Sequence, residues 1–138
     1  MIDKVFVDTN ILVYAHDADA GLKCARAAES LRNLWSDRNG IVSPQVLQEF
    51  YVTVTRKIRT PLAKEAARRI VDAYSAWCID INAADIAAAF KVEDEAQLAF
   101  WDALIVAAAL RADAKRILTE DMNAGQIVSG IEIHNPLR

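Results

Sequence analysis

The stretch Val5-Phe6-Val7-Asp8-Thr9-Asn10-Ile11-Leu12 begins as a run of β-prone residues, breaks at an acid, and resumes with apolar residues at helical spacing. Val5-Phe6-Val7 is expected to form a short strand that ends at Asp8. Asp8 suits the N-cap of a helix over residues 11–14. Its carboxylate also follows a buried run, where its charge is unfavourable unless a cation or donor satisfies it. The same alternation recurs downstream. Helices are expected over residues 22–37, 44–58, 62–77, 83–93 and 100–112, and further strands over 41–42, 78–81, 116–118 and 131–133. Pro44 and Pro61 suit first helical turns, while Asn39-Gly40 and Asn135-Pro136 mark breaks.

Five short strands separated by helices need crossover connections, which favour a parallel sheet covered on both faces. The expected fold is therefore an α/β, three-layer α/β/α sandwich with a five-stranded parallel sheet. Ligands of such sheets collect beyond the carboxyl ends of the strands, near the point where strand order reverses. The 138 residues suit one domain, 1–138, able to bury about two-thirds of the surface its unfolded chain exposes. Although 54% of residues are hydrophobic, no apolar run nears the roughly 18 residues of a membrane span, and residues 1–8 carry two acids. A soluble cytoplasmic protein with no membrane partner is expected. Cys24 and Cys78 have neither metal-ligand spacing nor a disulfide pattern and are expected to be free, buried thiols.

Four acids fall where this fold places chemistry. Asp8 ends the first strand, and Asn10 beside it can orient the carboxylate. Glu49 lies at the margin of the stripe Val46, Leu47, Phe50, Tyr51 and Val54, on a helix that starts from the same sheet edge. A marginal acid of this kind also fits a plainly solvated position. Asp102 precedes eight uninterrupted apolar residues, Ala103 to Leu110, which indicates a buried helix. The helix dipole favours an acid in that first turn, yet a buried Asp usually needs a partner or cation. Thr119-Glu120-Asp121 follows the strand over 116–118 and also fits a polar loop cap. Gathered together, these carboxylates repel one another unless a cation or raised pKa values intervene. Oxygen donors without a His–Cys cluster point to Mg²⁺ or Mn²⁺, which suits phosphodiester hydrolysis.

Val7-Asp8-Thr9-Asn10-Ile11-Leu12, Ser43-Pro44 through Gln48-Glu49-Phe50, Trp101-Asp102-Ala103-Leu104-Ile105 and Thr119-Glu120-Asp121-Met122 resemble, in order, the four acidic motifs of PIN-domain nucleases. The resemblance spans residues 5–136 and implies cleavage of single-stranded RNA at a divalent-metal site. It carries over Asp8, Glu49, Asp102 and Asp121 as catalytic and metal-holding acids, supported by Thr9, Asn10, Ser43, Thr119 and Glu120. Adjacent Glu120 and Asp121 compete for the fourth place, and the Thr-x-Asp spacing favours Asp121. The small size is similar to VapC toxins, which implies a homodimer silenced by a cognate antitoxin. No general-base histidine is required, and His16 and His134 are expected at the surface.

A net charge of −3 gives no basic face overall, but Arg56, Lys57, Arg59, Lys64, Arg68 and Arg69 fall within fourteen positions. Of these, Arg56, Lys57, Arg59, Arg68 and Arg69 are candidate contacts to the RNA backbone or to a partner, and solvated helix ends explain them equally well. The amphipathic stretches over 45–58 and 62–77, with Phe50, Tyr51, Tyr74 and Trp77, offer a groove for a partner helix or a second copy. Other classes fit less well. A phosphorylated receiver domain needs a lysine after the last strand, and a haloacid-dehalogenase-type phosphatase needs Asp-x-Asp where this chain has Asp8-Thr9-Asn10. An RNA-processing nuclease that is not a toxin, or a binding module with a noncatalytic acidic pocket, are the remaining alternatives.

Overall fold

The computed structural model describes residues 2–138. Strand β1 (Val5–Val7) is buried along its whole length and is flanked on both sides by parallel partners, β2 (Gly40–Ile41) and β3 (Arg116–Leu118). Beyond β3 lies β5 (Ile131–His134), also parallel, and β4 (Ile127–Val128) closes that edge antiparallel, giving the order β2-β1-β3-β5-β4. From β1 the chain travels one way to β2 and then returns past β1 to β3. The order therefore reverses between β1 and β3, and their carboxyl ends, Asp8 and Thr119, border the crevice that this reversal leaves.

Among the described residues, the second to fourth helices follow the apolar periodicity, whereas the last is apolar almost all round. Helix α1 (Thr9–Ala15) starts directly from β1, and α2 (Leu22–Asp37) buries Ala27, Leu31 and Leu34 at helical spacing. Helix α3 (Pro44–Arg56) is capped by the buried Ser43, whose Oγ accepts the Val46 amide at 3.4 Å, and it buries Val46, Leu47, Phe50 and Val54. Helices α4 (Lys64–Tyr74), α5 (Ala83–Ala96) and α6 (Phe100–Arg111) complete the set. Helix α1 packs on α2 and α3, and α3 on α4, whereas α5 and α6 pack chiefly on each other. Their tie is polar as well as apolar: Asp85 closes the capping box of α5 and is held by Arg111 of α6 at 3.0 Å.

Two strands differ from the sequence expectation. Residues 78–81 contribute a single bridge, Cys78 to Val42, because a 3-10 turn at Ser75–Trp77 leads into it and the cap of α5 begins at Asn82. The fifth strand is β4 instead, so the sheet is mostly rather than wholly parallel. Its turn to β5 uses Ser129 and Gly130, both at positive φ (49° and 83°), which is how a two-residue hairpin matches strand twist. A Ser-Gly pair between apolar residues is the local signal for that turn.

The aromatic side chains expected to line a partner groove are largely core. Phe50, Tyr74 and Trp77 are buried, and only Tyr51 is half-buried. His16 is likewise not a surface residue: it is half-buried at the end of α1, edge-on to Phe50, with Nε2 3.1 Å from the Tyr74 hydroxyl, and burial lowers its pKa. His134 is exposed. Both cysteines are free and half-buried. Among the described residues no helix is long and apolar enough to cross a membrane.

Candidate active site

Asp8 caps α1 and is almost wholly inaccessible, yet both carboxylate oxygens have donors. Oδ1 accepts the Thr9 amide at 2.7 Å, and Oδ2 accepts the hydroxyl of buried Thr119 at 2.8 Å. Burial raises the Asp8 carboxyl to about 6; the two hydrogen bonds oppose that rise, and the nearby charges of Asp121 and Asp102 add to it. The cap explains the residue's place in the sequence, and the shared charge explains why the cap alone is an incomplete account.

Asn10, one residue along α1, straps the β3 loop to the same point. Its Nδ2 donates to Asp121 Oδ2 at 2.9 Å, and its Oδ1 accepts the Glu120 amide at 3.1 Å. The Thr119 hydroxyl accepts the Asp121 amide at 3.1 Å while donating to Asp8, so one oxygen links the two acids. Glu49 is exposed on α3 and is held by the Thr9 hydroxyl at 3.1 Å and the Gln45 amide group at 3.2 Å. Asp102 is half-buried in the first turn of α6 rather than sealed within it, and burial, then Asp121, then Glu49, raise its pKa. The four acids are thus electrostatic neighbours, and none of them pairs with a Lys or Arg among the described residues. Among those residues no three His, Cys, Asp or Glu side chains close into a ready-made coordination shell.

Glu120 turns away from this group. Tyr14 donates to it at 2.6 Å and Lys23 at 2.6 Å; burial alone would push its carboxyl up, and these bonds outweigh burial and hold it below the usual range. Neither Tyr14 nor Lys23 stands out in the sequence, where both read as ordinary helix-surface residues. Of the basic residues, Lys57 lines the same hollow as Thr9 and Glu49, and Arg68 lies over the Tyr51 ring, 5.9 Å from its centre. Arg56, Arg59, Lys64 and Arg69 are exposed around the end of α3 and along α4.

Fold and site together define an α/β protein with a multi-carboxylate centre at the switch point of its sheet. The chain belongs to the PIN-domain family, whose model matches residues 5–127. Comparison with curated protein sequences gives no match. Among solved structures, one similar chain comes from FitAB bound to an IR36 DNA fragment (16% identity, TM-score 0.75, covering 97% of this chain and 96% of that one). A second is from a DNA-bound VapBC of Salmonella typhimurium (16% identity, TM-score 0.69, covering 98% and 99%). A third is Mycobacterium tuberculosis VapC20, a toxin that cleaves the sarcin–ricin loop (16% identity, TM-score 0.63, covering 86% and 90%). At such identities the likeness establishes the fold, which is PIN-like.

Proposed function

We propose that the chain is a divalent-metal-dependent endoribonuclease that hydrolyses single-stranded RNA, and that it is the toxin of a toxin–antitoxin pair, acting as a homodimer restrained by a cognate antitoxin. The observation that carries the nuclease reading is Asp8: a deeply buried carboxyl raised to about 6, with two like-charged neighbours and no basic partner among the described residues. Such an arrangement is unfavourable in the protein by itself and becomes favourable around a small cation. All donors are hard oxygens, which fits Mg²⁺ or Mn²⁺ better than Zn²⁺. Asp8, Asp102, Asp121 and Glu49 would hold it, and when bound it supplies charge stabilisation at the phosphate and an activated water.

The remaining work falls to the chain's own side chains. Thr119 and the Thr9 amide fix the Asp8 carboxylate, Asn10 fixes Asp121, and the Thr9 hydroxyl and Gln45 fix Glu49, so each of these three acids arrives oriented. Lys57, beside Glu49, would take a substrate phosphate, and the exposed Arg56, Arg59, Arg68 and Arg69 are the further candidate contacts to the RNA backbone or a partner. Asp121 serves as the fourth acid because Glu120 is already engaged by Lys23 and Tyr14. The toxin and partner assignments lean on the near full-length likeness to VapC20 and to the FitAB and VapBC chains.

Incubating the purified chain with unstructured RNA tests the reading. Cleavage should require added Mn²⁺ or Mg²⁺, stop in EDTA, and fall to background in Asp8→Asn; Thr119→Val should retain a residue, about 10–100-fold below the parent. Undiminished cleavage in EDTA, or a fully active Asp8→Asn, would end it.

A further inference from the structure

Trp101 is 63% exposed although it adjoins Asp102 on a helix whose interior is otherwise apolar and buried. It forms one wall of a cleft of about 320 Å³, lined also by Pro44, Gln45, Gln48, Leu104 and Ala108. Gln48 also lines the neighbouring hollow of Thr9, Glu49 and Lys57, so the cleft and that hollow adjoin at Gln48. The indole meets Phe100 edge-on, with ring centres 5.2 Å apart, and Phe100 lies 5.7 Å from the ring of Phe90, which is also exposed. A large ring left in water beside a polar-rimmed cleft offers a face on which a flat heterocycle can stack.

From these observations we infer a nucleobase subsite: an unpaired base of the RNA, next to the phosphate under attack, stacks on Trp101 in this cleft, with the Gln48 amide facing its polar edge. The assignment rests on the nuclease reading above, which puts the RNA backbone at the carboxylates. An apolar, aromatic-walled cleft with an amide suits a flat heterocycle with a polar rim, and it offers no charge to a phosphate. The backbone's charge is met instead on the Lys57 side. Bases stack on aromatic faces with little regard to sequence, and amide groups can add preference because they both donate and accept.

Binding can be read without cleavage by placing the changes in an Asp8→Asn background and titrating short single-stranded oligoribonucleotides by tryptophan emission and by anisotropy of an end label. Trp101→Ala should weaken binding about tenfold, while Trp101→Phe, which keeps a ring, should lose much less. One abasic position in the oligonucleotide should cost the Trp101 chain the same factor and cost Trp101→Ala nothing further. Unchanged affinity in Trp101→Ala, or equal losses at every abasic position in both chains, would overturn the subsite. So would a dimer that Trp101→Ala splits without altering oligonucleotide affinity, which would give the face to a second copy. A parent chain that binds through Trp101 but never cuts RNA with Mn²⁺ would remove the nuclease reading and leave the subsite standing.

Discussion

A carboxyl group as deeply enclosed as that of Asp8 resists ionisation, and Asp121 and Asp102 add to that resistance. In metal-free solution its pKa is 3.8 unfolded and about 6 folded, so between those values the folded chain binds more protons. Stability should therefore fall as pH rises from about 4 to about 6 and stay reduced above. Asp8→Asn removes that dependence. The shift alone corresponds to about 3 kcal/mol, but an amide cannot accept from both Thr9 and Thr119, so a gain of about 1–2 kcal/mol at pH 7 and none near pH 4 is expected in EDTA. Urea unfolding at the two pH values measures it; equal stability of parent and variant at pH 7 would show that Asp8 ionises without penalty. The acids themselves were legible because each follows or precedes an apolar run. The Thr119 hydroxyl that joins Asp8 to the Asp121 amide was not, since the Asp8 contact spans 111 positions and threonine after a strand is unremarkable locally.

Helices with a clean apolar stripe were readable almost to the residue, α2 above all, since Ala27, Leu31 and Leu34 fix one face whatever the surroundings. Strands of two or three residues carry too little pattern for that. Residues 78–81 look β-prone, but Trp77 decides their path: its carbonyl takes the Val42 amide at 3.0 Å and its ring lies flat against Gly40. A Cβ on Gly40 would stand 2.7–2.9 Å from that buried indole, a contact set by tertiary packing and invisible in Asn39-Gly40. Gly40→Ala should therefore cost about 1–3 kcal/mol by overpacking, read as a lowered urea midpoint with unchanged slope. A variant as stable as the parent would mean that the indole has room to move.

For the molecule as a whole, the alternation of strands and helices was enough to anticipate the α/β class and one acidic edge, because parallel strands send their carboxyl ends the same way. It could not show the exposed Trp101 or the half-buried setting of Asp102, which depend on how α6 packs against α5 and the sheet. If the nuclease is a toxin, inducing the chain alone in bacteria should arrest growth and Asp8→Ala should relieve the arrest. Normal growth alongside RNA cleavage in extracts would leave the enzyme and remove the toxin role. The strand order has a temporal side as well. Because β3 sits between β1 and β5, a chain half this length on the ribosome contains β1, Asp8 and Glu49 but neither β3, nor Thr119 and Asp121, nor β5 on the far side of β3. The site can therefore assemble only after the ribosome has passed Asp121 and β5, and no shorter nascent chain can bring the four acids together.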